Sequence, residues 1–324
     1  ALWKVGIIMA NAKEIQNRIK SIQDTMKITK AMYMMSSMKL RKARQKLDNT
    51  EPYFDGLQKE ISDILLHFPD MEHLYFDNRH TDKAETVKKK GYIVVTGDKG
   101  MAGAYNHNVI KEAQDLIDQE EDYRLFIVGE LGRQFFYGQH YNVEPSFQFS
   151  TNNPSIHRAR VMTELIIDLY KKEELDEVYV VYTRMINSMR EEVQVERILP
   201  LKTHEFIKEE MIDASKIGDG NYDDAALKEA DEWFFIYPSP SKVLEKLVYN
   251  YVTGFLYGVL VEGSASEENA RMMAMQSATD NAEKMLAELS IEYNRVRQAA
   301  ITQEITEVIG GAKALKKKKK KQER

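Results

Sequence analysis

The sequence has no cysteine, which excludes disulfide frameworks, thiol nucleophiles and cysteine-ligated metals. That absence suits a reducing compartment. Proline is scarce and confined. All seven prolines fall between Pro52 and Pro240, with none in the first 51 residues or the last 84. Proline removes a donor and clashes with the preceding turn, so proline-free ends permit uninterrupted helix. Long apolar runs are missing too. The most membrane-like stretch, Leu247–Val261, has 15 residues interrupted by Asn250, Thr253, Gly254 and Gly258. That is short of the roughly 20 residues that span a bilayer, so a buried helix is expected there. Ala1–Ala10 lacks the h-region and cleavage site of a signal peptide, and Ala1–Ile8 reads as a processed or added extension before Met9.

What is present is charge and helix. The 324 residues leave room for one or two domains, with 43% hydrophobic and 30% charged residues. The net charge of −5 is unevenly spread: residues 316–324 carry seven positive charges against one negative. Residues 1–315 therefore hold 39 basic against 50 acidic side chains, a net of −11. Between Lys13 and Lys46, ten Lys and Arg face only Glu14 and Asp24. Such a basic stretch can meet nucleic acid, anionic lipid or an acidic protein surface.

Each end carries a seam. From a start expected at Asn11, with Glu14 as its capping-box partner, apolar or small residues recur in steps of four and three. They are Ile15, Ile19, Ile22, Met26, Thr29, Tyr33, Ser36, Leu40, Ala43 and Leu47. A second helix is expected from Ser241, after Pro238-Ser239-Pro240. Its stripe is Met272, Met275, Thr279, Ala282, Leu286, Leu289, Tyr293, Val296 and Ala300, drifting to Ile301, Ile305, Val308 and Ala312. Heptad stripes of this length imply helix pairing. Two separate bundle helices would show them as well. Opposite chain ends around a central domain favour mutual antiparallel pairing.

In the middle the period changes. Tyr92–Thr96, Leu125–Val128 and Val178–Tyr182 are short β-branched and aromatic runs, separated by helical stretches at Asn106–Gln119 and Ile156–Lys172. That order predicts βαβ crossovers and a Rossmann-like, mostly parallel sheet, with a further strand at Val193–Leu199. Asp77–Lys90 reads as a polar loop and Asp213–Asp231 as an acidic one. The fold class is thus α/β with a long antiparallel α-helical coiled coil. Its parts are an N-terminal helix over 9–68, a central α/β domain over 69–237, a C-terminal helix over 238–315 and a basic tail over 316–324.

Catalytic patterns are missing. Gly97-Asp98-Lys99-Gly100-Met101-Ala102-Gly103 follows the first strand but matches neither dinucleotide nor P-loop spacing, and Gly129-Glu130-Leu131-Gly132 is the same case. The seven histidines contain no H-x-x-x-H pair, and no G-x-S-x-G elbow occurs. Glu191–Glu192 and Asp223–Asp224 point to different sides as sequence neighbours and read as solvated charge. Neither cofactor nor metal is implied.

Several segments resemble one family. Ile19-Lys20-Ser21-Ile22, Thr25–Met32 and Lys39–Ala43 look like the N-terminal helix of the ATP synthase gamma subunit. Ala270-Arg271-Met272, Ser277–Ala282, Tyr293–Gln298, Ile301–Glu304, Glu307, Gly311, Ala312 and Ala314 resemble its C-terminal helix. Gly100–Asn106 and Gly132–Phe136 resemble its central domain, so the resemblance spans about Asn11 to Leu315.

The resemblance implies a non-catalytic central stalk within a ring of three alpha and three beta subunits, its foot against the epsilon subunit and the membrane rotor c-ring. Ion-driven rotation would cycle the catalytic beta sites. It implies a peripheral place on the cytoplasmic face of a bacterial membrane, without membrane insertion or nucleic acid. It further implies beta-subunit contacts for Lys30, Met32, Arg271, Gln298, Thr302 and Glu307. Ile301, Ile305, Val308 and Ala312 would form an apolar bearing tip. The tail Lys316–Lys321 departs from the family's usual end, and no cysteine-bearing regulatory insertion is present. A basic coiled coil binding nucleic acid or a membrane surface is the alternative; it would show a steep salt dependence.

Overall fold

The computed structural model describes residues 2–68, 71–76, 88–187, 190–206 and 236–322. The expected loop at Asp77–Lys90, up to residue 87, and the acidic stretch Asp213–Asp231 lie outside them. By contacts the chain divides into two compact units: Ser36–Arg271, and Ala1–Met35 with Met272–Arg324.

The unit Ser36–Arg271 is built on a four-stranded sheet. Its strands are β1 (Lys90–Val95), β2 (Tyr123–Val128), β3 (Glu177–Asn187) and β4 (Arg190–Leu199), in the order β2-β1-β3-β4. β1 pairs in parallel with β2 and β3, while β4 pairs antiparallel with β3. The helices are α1 (Leu2–His67), α2 (Tyr105–Ile117), α3 (Glu130–Gly138), α4 (Ile156–Lys171), the short α5 (Thr203–Phe206) and α6 (Pro240–Gln322).

β1 is central, and a strand covered on both faces must be apolar throughout. Alternation sorts its side chains. Tyr92 and Val94 join a core with Val109 and Ala113 of α2 and Phe136 of α3. Ile93 and Val95 join a second core with Ile61 and Ile64 of α1, Met162 and Ile166 of α4, and Leu244, Val248, Val252 and Leu256 of α6. The Leu247–Val261 stretch is therefore a helix buried against a sheet. Among the described residues no helix is long and apolar enough to cross a membrane.

Within this unit α1 and α6 run antiparallel. Lys39 pairs with Glu268 at 2.8 Å, and fifteen residues on, Phe54 stacks on Tyr251 with centroids 4.8 Å apart. α1 continues through Pro52 to His67.

In the other unit, residues of α1 up to Met35 meet residues of α6 from Met272 onward. Thr29 and Thr279 share a 2.8 Å hydroxyl–hydroxyl hydrogen bond, and Lys30 pairs with Glu283 at 3.0 Å. Every position of both seams is buried or half-buried. Ile15, Thr29, Ser36, Leu40, Ala43, Met275, Thr279, Ala282 and Ala300 are the most enclosed.

Three expectations need correction. α1 begins at Leu2, not Asn11, since residues 2–10 contain no proline and nothing there ends a helix. The Lys316–Lys321 tail is the end of α6, which runs to Gln322; lysine is a good helix former. After Ala300 the packed line does not follow the apolar drift. The less exposed line continues through Gln303 and Glu307, which leaves Ile301, Ile305, Val308 and Ala312 exposed.

Candidate functional site

In open α/β sheets, ligands bind beyond the strands' carboxyl ends where the strand order reverses. Here that point lies at β1, because α2 leads to β2 on one side and α3–α4 to β3 on the other. The chain's own side chains close the crevice. The Asp98 carboxylate accepts from Ser150 Oγ, from Asn152 N at 3.1 Å and Nδ2 at 2.9 Å, and from Glu130 N at 3.1 Å. Partial burial raises the Asp98 pKa, but these donors outweigh it and hold the carboxyl below its usual range. Gly97 N donates to Asn106 Oδ1 at 2.7 Å.

From above, α6 presses a charged cluster onto the same turn. The Arg271 guanidinium pairs with Glu267 Oε1 and, at 3.1 Å, with Glu268 Oε1. It also donates to the carbonyls of Lys99 at 3.3 Å and Gly100 at 3.5 Å. A Cβ on Gly97 would sit 2.9 Å from the Glu267 carboxyl, so any larger residue there would displace that side chain. The two carboxylates fare differently. Burial raises Glu267 and its share of one guanidinium does not reverse that. Burial raises Glu268 as well, but Lys39, Ser36 and Arg271 together bring it below the ordinary value.

The same stretch of α6 is keyed to the sheet turn after turn. Glu262 Oε1 accepts from Met185 N at 2.9 Å, and Gly263 O accepts from Tyr105 OH at 3.0 Å. Ser266 Oγ donates to Thr183 O at 3.0 Å, and Asn269 Nδ2 donates to Glu191 Oε1 at 2.9 Å. Buried polar groups satisfied in this way fix one register and resist sliding. Among the described residues no group of His, Asp and Glu could hold a metal ion. The arrangement anchors a helix to a domain.

The six residues expected at a partner surface fall into two sets. Arg271 is 7% exposed and committed to partners within its own unit. In the other unit Lys30 carries its exposed ion pair and Met32 is half-buried. Gln298 and Thr302 are exposed, and half-buried Glu307 accepts from Gln303 Nε2 at 3.4 Å. The apolar set is open: Ile301 is 48% exposed, Ile305 54% and Val308 72%. Sequence reasoning passed over Glu267 and Glu268, and met Lys39 only as part of a family motif. The spacing of Glu267 and Glu268 three and four residues before Arg271 was the available signal.

Within the Ser36–Arg271 unit these contacts are structural: they lock α6 onto the sheet and the turn after β1. The family profile described as ATP synthase matches residues 11–315. The ATP synthase gamma chain of Acetivibrio thermocellus is 42% identical over 308 residues, covering 95% of this chain and 100% of that one. The gamma chain of Acetobacterium woodii, named as sodium ion specific, is 37% identical over 306 residues, covering 94% and 99%. Among solved structures, a chain of the Euglena gracilis mitochondrial ATP synthase (OSCP/F1/c-ring) matches with a TM-score of 0.60 at 15% identity, over 94% of this chain and 95% of that one. The protein belongs to the ATP synthase gamma-chain family.

Proposed function

We propose that this chain is the central rotor shaft of a rotary ATP synthase, coupling ion-driven rotation of the membrane ring to conformational cycling of the catalytic beta subunits. It catalyses nothing itself and needs no cofactor. The observation that carries this reading is end-to-end membership of the gamma-chain family, at 42% identity across 95% of the chain. The helices at its two ends, which meet through small side chains such as Thr29 and Thr279, support it.

The terminal helices act as an antiparallel coiled coil. In support stand the Thr29–Thr279 and Lys30–Glu283 contacts in one unit, and Lys39–Glu268 and Phe54–Tyr251 in the other. The functional parts are the α1 segment over 9–68, a Rossmann-like domain over 69–237, the α6 segment over 238–315 and its basic end 316–324. One copy serves three alpha and three beta subunits; the epsilon subunit and c-ring meet the α/β domain. The assembly sits peripherally on the cytoplasmic face of the bacterial membrane.

A rotor biases a site only through contacts that differ between the site's states. Moving a site from 1:99 to 99:1 takes about 5.5 kcal/mol of differential interaction. Lys30, Met32, Gln298, Thr302 and Glu307 supply contacts to beta, and exposed Ile301, Ile305, Val308 and Ala312 form a bearing with few directional bonds. Arg271 is proposed as a beta contact as well, with its guanidinium oriented by Glu267 and Glu268. The alternative, a nucleic-acid or membrane-surface binder, is not favoured by the family membership.

Co-expression with matching alpha and beta subunits tests the reading. One copy should co-purify per three alpha–beta pairs, and the chain alone should hydrolyse no ATP. ATP turnover that survives re-purification of the lone chain, or a failure to co-purify, overturns it.

A further inference from the structure

Within the Ser36–Arg271 unit, a concave space of about 340 Å³ opens between α1, α6 and the strands β3 and β4. It is separate from the closed crevice beyond β1. Its floor is apolar. Phe54 stacks on Tyr251 and lies 6.5 Å from the Phe255 ring, which makes an aromatic wall. Beside it Gly258 leaves room: a Cβ built there meets no atom within 4 Å.

The rim is acidic. Four carboxylates line the space, from Asp48, Glu51, Glu196 and Glu262, against one cation, Arg184. Two of the four are already engaged, Glu196 by the Tyr182 hydroxyl at 2.9 Å and Glu262 by Met185 N at 2.9 Å. Asp48 and Glu51 are not: among the described residues neither has an ion pair or hydrogen bond. They stand three apart on one helix face, where like charges repel. Pro52 follows at once and has no N–H to give the Asp48 carbonyl, which leaves that oxygen without its helical donor. Asp48 and Glu51 thus bring two carboxylates to the α1 edge of an apolar, aromatic-walled pocket, next to a carbonyl that lacks its helical donor. Pockets of this build, mostly apolar with a few convergent polar groups, are where small ligands bind.

We propose that this pocket binds a small organic cation with a ring-bearing apolar body, an aryl-alkyl amine. The ring packs against Phe54 and Phe255 over Gly258. The ammonium stands at Asp48, Glu51 and the Asp48 carbonyl. An aromatic wall adds cation–π attraction for the same charge. Bound there, the ligand touches α1, α6 and the β3–β4 pair together. Nothing in this inference depends on the rotor reading.

The test is ligand-observed NMR titration of the full chain with phenethylamine, using phenethyl alcohol as the uncharged control. The amine should saturate at about millimolar concentration, as expected for so small a ligand. The alcohol should bind roughly fivefold more weakly, the scale of an exposed charge pair. Asp48→Asn with Glu51→Gln, both at exposed positions, should remove that difference and leave alcohol binding unchanged. Gly258→Leu should fill the space and abolish both, with the helical circular-dichroism signal retained. Equal affinity for amine and alcohol overturns the proposal, as does an unchanged preference in the double variant. So does an amine that never saturates.

Discussion

Thr29 of α1 and Thr279 of α6 face each other through a 2.8 Å hydroxyl–hydroxyl hydrogen bond at a buried seam. Each hydroxyl also reaches a carbonyl of its own helix, Met26 O at 3.0 Å and Met275 O at 2.8 Å. Replacing either with valine removes the bond between the helices while the remaining hydroxyl keeps its own-helix carbonyl, and should cost about 1 kcal/mol. Thr29→Val with Thr279→Val together should cost less than the sum, with a coupling of at least about 0.5 kcal/mol in a urea-unfolding double-mutant cycle. Strict additivity would mean that the hydroxyls do not act as a pair.

Glu267 and Glu268 touch the same guanidinium but should respond unequally to neutralisation. Glu268→Gln leaves Lys39 and Arg271 short of a buried counter-charge and should cost about 3 kcal/mol at neutral pH. Glu267→Gln removes a carboxylate whose burial already disfavours its charge, and should cost much less. The pH dependence follows from the shifts. The Glu268 pKa is depressed in the fold, so its contribution is present above the ordinary value of 4.5 and is lost as pH falls below it. The wild-type chain should lose melting temperature through that window, and Glu268→Gln should flatten the loss. Equal costs for the two substitutions would contradict this account.

Two glycines should behave in opposite ways. Gly129 has φ of 95° and a Cβ there would fall 2.2 Å from the Thr96 carbonyl oxygen, so Gly129→Ala should cost at least about 3 kcal/mol. Gly310 lies inside α6 with open space around it, so Gly310→Ala should raise helix stability by about 0.5–1 kcal/mol. Thermal unfolding followed by circular dichroism reads both.

Gln298 and Thr302 are exposed. Gln298→Ala with Thr302→Ala should therefore leave the melting temperature of the isolated chain unchanged. In the assembled complex it should lower coupled turnover roughly tenfold, the scale of a binding hot spot. Unchanged coupling removes both residues from the contact surface.

Much of this was legible in the sequence. The four–three spacing from Ile15 to Leu47 and from Met272 to Ala300 marked the buried face, because helical period and heptad nearly coincide. The runs YIVVT, LFIV and VYVVY located β1, β2 and β3, because fully covered strands tolerate little else. Helix ends were less legible. Asn11 looked like a cap, but capping residues also occur inside helices when nothing forces a stop, and Pro52 sits within α1. Arg271 showed the limit for sites. Its family position pointed to a partner, yet its neighbours Glu267 and Glu268 and the distant Lys99–Gly100 carbonyls hold it inside its own unit. Only tertiary packing brings that turn to α6.

The most direct test is rotation. The chain has no cysteine, so Lys111→Cys on α2 offers a single exposed attachment point for a bead. With the alpha–beta ring immobilised and ATP supplied, the bead should turn in one direction with threefold stepping and stop when ATP is removed. A bead that stays fixed, or only fluctuates, in a complex that hydrolyses ATP would contradict the account.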